Sequence, residues 1–148
     1  MGEHRNDQGD ALEALLSFLR ARMDEGWRGA LAAGASSAER TWSARLDGVE
    51  SVDGATVAST PGEDARMDRA RSEHISRNDP AHVLRSLEST RRLLEQYELL
   101  HADRVDHPDR EPLLREYEEF ILPLLALSFS EHPDHRSRWS PREAPPRR

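Results

Sequence analysis

The chain has 148 residues, a length that fits one domain with its own core, and it has no cysteine, which excludes disulfides, thiol catalysis and cysteine-based zinc modules. A hydrophobic share of 36% with only 5% aromatics implies a modest core of Leu, Val and Ala, while 33% charged residues of both signs suit solvated helix faces. The net charge of −7 argues against a dedicated nucleic-acid binder, which needs a concentrated basic surface.

The first apolar stripe is Leu12, Leu15, Leu16, Leu19 and Met23, at helical spacing behind the potential cap Asp10, and it predicts a helix from about Asp10 to Asp24. Gly26, Gly29 and Gly34 weaken its continuation, although Trp27 and Leu31 extend the same face. AAGASSAER then reads as a loop. From Thr41 the period changes: TWSARLD, GVESVD and GATVAST are short segments separated by Asp47-Gly48 and Asp53-Gly54. Asp-Gly suits a two-residue primed turn, whose central residues both need positive φ, so a three-stranded antiparallel meander is expected over about residues 41–59. Trp42, Ala44, Leu46 and Val57 are its apolar positions, and Pro61-Gly62 ends it.

A short helix is expected from Glu63 to Ile75, carried by Ala65, Met67, Ala70 and Ile75. In HISRNDPAHVL, Asp79 followed by Pro80 is a helix start, an acceptor side chain followed by a residue whose fixed φ suits the first turn. The helix that follows bears Val83, Leu84, Leu87, Leu94 and Tyr97 on one face, with Arg91–Glu95 and Glu88–Arg92 pairs elsewhere, and should end near His101. Ala102–Glu111 reads as a loop. Pro112 opens a helix through Leu113, Leu114, Tyr117, Phe120 and Ile121, which Pro123 must kink or break before Leu124, Leu125, Leu127 and Phe129. The fold class expected is α+β, mainly helical: a hairpin of residues 80–101 and 112–130, the N-terminal helix across it, and the small meander.

The expected organisation is a disordered N-terminus over residues 1–9, one α+β domain over 10–135, and a flexible Arg/Pro-rich tail over 136–148. That tail carries five Arg against Glu143, about +4, leaving about −11 on residues 1–135. All 21 basic residues are Arg, whose codons are GC-rich, which points to a high-GC genome. MGEHRNDQGD contains no secretory apolar region, and the longest apolar run, Phe120 to Phe129, is too short to span a bilayer. A soluble cytoplasmic protein is expected.

No motif carries chemistry: there is no glycine-rich phosphate loop, nucleophile elbow or dinucleotide fingerprint. The seven histidines raise the question of a metal, and His74, His82, His132 and His135 are the side chains that would hold one. They do not close a three- or four-ligand set of recognised spacing, so neither metal nor cofactor is expected. Arg66, Arg69, Arg71 and Arg77 are interleaved with acids and read as a solvated face with local ion pairs.

Three stretches, ALLSFLRARMDE, HISRNDPAHVLRSLESTRRLLE and LLALSFSEHPDHRSRW, resemble in that order a family of small proteins of unknown function common in Streptomyces, other actinobacteria and their phages. The resemblance covers most of residues 10–140 and implies no activity. Members often carry histidine where Asn78 stands, and many have a cysteine-containing insert where this chain has the cysteine-free HADRVDHPDREPLLREYEEF. A family zinc site therefore does not carry over to these residues.

Apolar surface left over on the last helical segment favours a protein partner or self-association, with Phe120, Ile121, Leu124, Phe129 and Trp139 as the surface. The expectation is a non-enzymatic interaction or regulatory module. The alternatives are a metal-dependent hydrolase using the histidines and a nucleic-acid accessory protein using the Arg-rich tail. Removing the Asp79 cap should cost roughly 0.5–2 kcal/mol, and His82→Ala should change stability little.

Overall fold

The computed structural model describes residues 3–62 and 64–141. In chain order the elements are α1 (Glu3–Ala32), α2 (Ser37–Arg40), β1 (Trp42–Ala44), β2 (Gly48–Ser51), β3 (Thr56–Ser59), α3 (Ala65–Arg77), α4 (Pro80–His101), α5 (Arg110–Glu116) and α6 (Leu122–Leu127). A π-helical turn, Tyr117–Ile121, joins α5 to α6, and a 3₁₀ turn, Ser137–Trp139, follows. The fold is mainly helical α+β, with one small antiparallel sheet of order β1-β2-β3. The chain divides into two compact units, one of residues 1–23 and 90–148, the other of residues 24–89.

In the first unit, α1 presents Leu15, Phe18 and Leu19 to Leu94 and Tyr97 of α4, Leu122 and Ala126 of α6, and Trp139. Leu19, Leu122 and Ala126 are wholly inaccessible to solvent. The helix begins at Glu3, so Asp10 lies within it and is no cap. The expected disordered N-terminus overlaps α1 from Glu3 onward, and Met1 and Gly2 lie outside the described residues.

Pro123 does not break the last helix. A proline has no N–H to give and clashes one turn back, and the chain meets this by widening the preceding turn. Leu122 N–H bonds to Tyr117 O five residues back. The helix thus passes the buried Pro123 and ends at Leu127. Its start is Arg110, two residues before Pro112, and the Arg110 side chain ties it to α4 by donating from Nε to Leu100 O at 2.7 Å. The turn Ser137–Trp139 brings a buried Trp139 into the core; of the expected flexible tail over 136–148, residues 142–148 lie outside the described residues.

The second unit holds the sheet, α2, α3, the end of α1 and the start of α4. Here α1 runs on to Ala32 despite its glycines, at a cost of about 1 kcal/mol each in propensity. Its inward face is Gly26 and the buried Ala30, whereas Trp27 and Leu31 are exposed. A Cβ on Gly26 would stand 3.1 Å from Leu87 Cδ1, so glycine permits the close approach of the buried Leu87. Ser36 caps α2 by accepting from Glu39 N, within a stretch that reads as loop in the sequence.

The meander forms, but not through primed turns. Ala44 pairs with Val49, and Arg45 N–H closes the first hairpin on Gly48 O at 2.7 Å, with Leu46 and Asp47 at its tip. Gly48 belongs to β2, where a Cβ would lie 2.6 Å from Ala58 O; close backbone approach is the reason for glycine. At the second hairpin only Gly54 has positive φ, +91°, as in a three-residue loop. Val49 is the buried apolar residue of the sheet, while Leu46 and Val57 are exposed.

Asp64 caps α3 by accepting from Arg66 N at 2.9 Å. Its inward side is polar: Asp68 and Ser72 are buried, and Met67 is exposed. Thr60 Oγ1 lies 2.7 Å from Ser72 Oγ, which donates to Asp68 O at 3.0 Å, so these hydroxyls are satisfied locally. Ser72 and Asp68 therefore pack where the apolar pattern alone placed Met67 and Ala70. The outward arginines pair with acids of the same helix, Arg69 and Arg77 with Glu73, and Arg71 with Asp68.

Candidate functional site

The opening of α4 is a structural joint. Asp79 is buried, and its two carboxylate oxygens accept from different elements: Oδ1 from His82 N at 2.6 Å and Oδ2 from Trp42 N at 3.2 Å. One side chain thus satisfies an orphan amide of the helix start and the first amide of β1. His82 and His74 are both exposed, and their part here is through the backbone: His82 gives its N–H to Asp79, and His74 O accepts from Asn78 Nδ2.

His132 and His135, in the first unit, are absorbed into packing. Both rings stand edge-on to Phe18 at 5.9 Å between centroids. His132 Nδ1 accepts from Asp134 N at 3.1 Å, and Nε2 engages Arg22 Nη1. Both ring nitrogens of His132 are thus occupied by protein donors, while Nε2 of His135 is buried without a hydrogen-bond partner among the described residues. Among the described residues no three His, Cys, Asp or Glu side chains gather as a metal site would require.

The same cluster settles the place of two residues predicted for the interaction surface. Trp139 is buried with its ring 4.9 Å from Phe18, and Arg136 lies over it at 5.3 Å. Phe129 packs edge-on to Phe18 at 6.3 Å. Trp139 is thus buried and Phe129 half-buried. Ile121 is half-buried. What stays exposed is Phe120, Leu124 and Leu127, at 46%, 54% and 47%, one large apolar residue per turn on one side of the helix. Leu127, absent from the predicted surface, follows from the same spacing.

Behind that strip, Tyr97 Oη donates to Glu118 Oε1 at 3.0 Å, within the π-helical turn that Pro123 requires. Burial, then the charge of Glu118 and their hydrogen bond, push the Tyr97 hydroxyl far above its ordinary pKa; burial and Glu116 raise that of Tyr117. A raised folded-state pKa stabilises the fold in full below the unfolded value of about 10, and this contribution is lost as pH climbs beyond it. These are the only two tyrosines in the chain. Absorbance titration of the native protein should therefore place the phenolate steps above the ordinary value, and the denaturant midpoint should fall as pH rises past that value. A normal step with both tyrosines ionising would contradict this packing.

A concave region in the unit of residues 24–89 is lined by Thr60, Met67, Ala70, Arg71, His74 and Ile75. It is shallow, and Arg71, its strongest potential anion ligand, is held by Asp68 at 3.4 Å. Among the described residues no helix is long and apolar enough to cross a membrane.

No curated protein and no solved structure matches the chain. The model of one family does match, over residues 12–141, spanning both units and the strip Phe120–Leu127. The chain belongs to that family, described as a family of unknown function (DUF6221).

Proposed function

We propose that this chain is a non-enzymatic protein-interaction module that docks a partner on the exposed face of the π-helical turn and α6. The carrying observation is the strip of Phe120, Leu124 and Leu127, left in solvent on a helix whose opposite side, Leu122, Pro123 and Ala126, is fully used by the core. Large apolar side chains gathered on one face mark an interaction site more often than singly scattered ones do. The histidine and Arg-tail alternatives have no comparable support, since His132 is engaged by Arg22 and Arg136 stacks on Trp139. The cysteine-free sequence fits a reducing cytoplasm. Its arginine-only basic residues fit an actinobacterial genome or mobile element.

Site-specific photocrosslinking tests this. A photoreactive residue at position 120 or 127 should give one discrete protein adduct in the cells that produce the chain, and one at the exposed Arg69 or Arg85 should not. Adducts of equal yield from all four positions, or none from the strip, would remove the proposal.

A further inference from the structure

The strip that serves as docking face under the proposed function, on which this inference rests, has a charge setting that specifies its partner. Residues 116–135 contain five carboxylates and no arginine, in a chain whose 21 arginines are otherwise interleaved with acids. Glu116 and Glu119 flank Phe120, and Glu131 lies four residues beyond Leu127; all three are exposed. On α3 and α4, Glu73 pairs with Arg69, Glu95 with Arg91 and Glu98 with Arg20 of α1. Glu116, Glu119 and Glu131 have no ion-pair partner among the described residues.

We infer that the face of the π-helical turn and α6 accepts a cationic amphipathic helix of another protein. An apolar ridge one residue per turn and about 10 Å long matches the stripe of a second helix laid along it. Three exposed apolar side chains fall well short of the roughly 1,200–2,000 Å² that a stable globular interface buries. A slender partner suits that area better than a second folded copy. A two-fold contact between copies would also bring the carboxylates Glu116, Glu119 and Glu131 around one strip beside those around the other, which like-charge repulsion opposes. Arginines or lysines beside the partner's apolar stripe would instead meet unpaired carboxylates. They would speed encounter and make the affinity fall with salt.

The test is selection from a displayed library of helical peptides with leucine fixed at i, i+4 and i+7 and randomised flanking positions, on the immobilised full chain. Flanks enriched in Arg and Lys are expected. The selected peptide should lose about tenfold in affinity, and most of its salt dependence, against a Glu116→Arg/Glu119→Arg variant. Helices retained with no cationic preference would overturn this inference and leave the docking face standing. No helix retained above the level seen with a Leu124→Gln/Leu127→Gln variant would overturn it. So would a dimer in sedimentation that those two substitutions abolish, because self-association would then be the use of the face.

Discussion

Asp79→Ala is expected to lower stability by about 2–4 kcal/mol, more than the loss of a helix cap alone. The cap accounts for roughly 0.5–2 kcal/mol, as the N–H of His82 loses its acceptor. The remainder comes from Trp42 N–H, which begins β1 and accepts no substitute once Oδ2 is removed. A part-buried amide without a partner costs roughly 1–3 kcal/mol. His82→Ala, an exposed first-turn position whose contribution is its backbone, should leave the denaturant midpoint within experimental scatter. Asp79→Asn should fall between, because an amide has one acceptor oxygen where the carboxylate has two. Equal midpoints for Asp79→Ala and the parent would show that β1 and α4 are not joined through this side chain.

Leu122→Ala should cost about 2–5 kcal/mol, the range for truncating a fully buried leucine. Leu122 is wholly inaccessible, packs in the cluster with Leu19 and Tyr97, and gives the N–H that closes the π-helical turn. Truncation leaves a cavity where Pro123 already limits backbone adjustment. Leu127→Ala, five residues later and about half exposed, should cost well under 1 kcal/mol. Unfolding of the two variants in urea compares a core position with a strip position on one helix. Similar losses would mean that the strip is folded against something within the chain.

The helices were legible because their stripes were regular: α4 has the bounds that Asp79-Pro80 and His101 suggest, and the three β segments pair in sequence order. The misplaced boundaries share a cause. Propensity marks glycine as a stop, but Gly26 is retained in α1 because Leu87 needs its space. Dipeptide chemistry marks Asp47-Gly48 as a primed turn, whereas β3 requires that glycine through the nearness of Ala58 O. Both requirements come from residues distant in sequence. Pattern alone likewise gave α3 an apolar inner face, although Thr60, reached across a turn, makes Ser72 and Asp68 its natural neighbours. The candidate surface was half legible. The spacing of Phe120 and Leu124 placed them on one helix side, but the packing of Trp139 and Phe129 depends on Phe18, more than a hundred residues away.

The central claim is that Phe120, Leu124 and Leu127 are surplus to folding and reserved for a partner. Its most direct measurement is the Leu124→Gln/Leu127→Gln variant beside the parent, with thermal unfolding and retention of the crosslinked partner read on the same preparations. The account predicts an unfolding temperature within a few degrees of the parent and loss of the partner. A large drop in unfolding temperature, or a partner retained equally by both proteins, would contradict it.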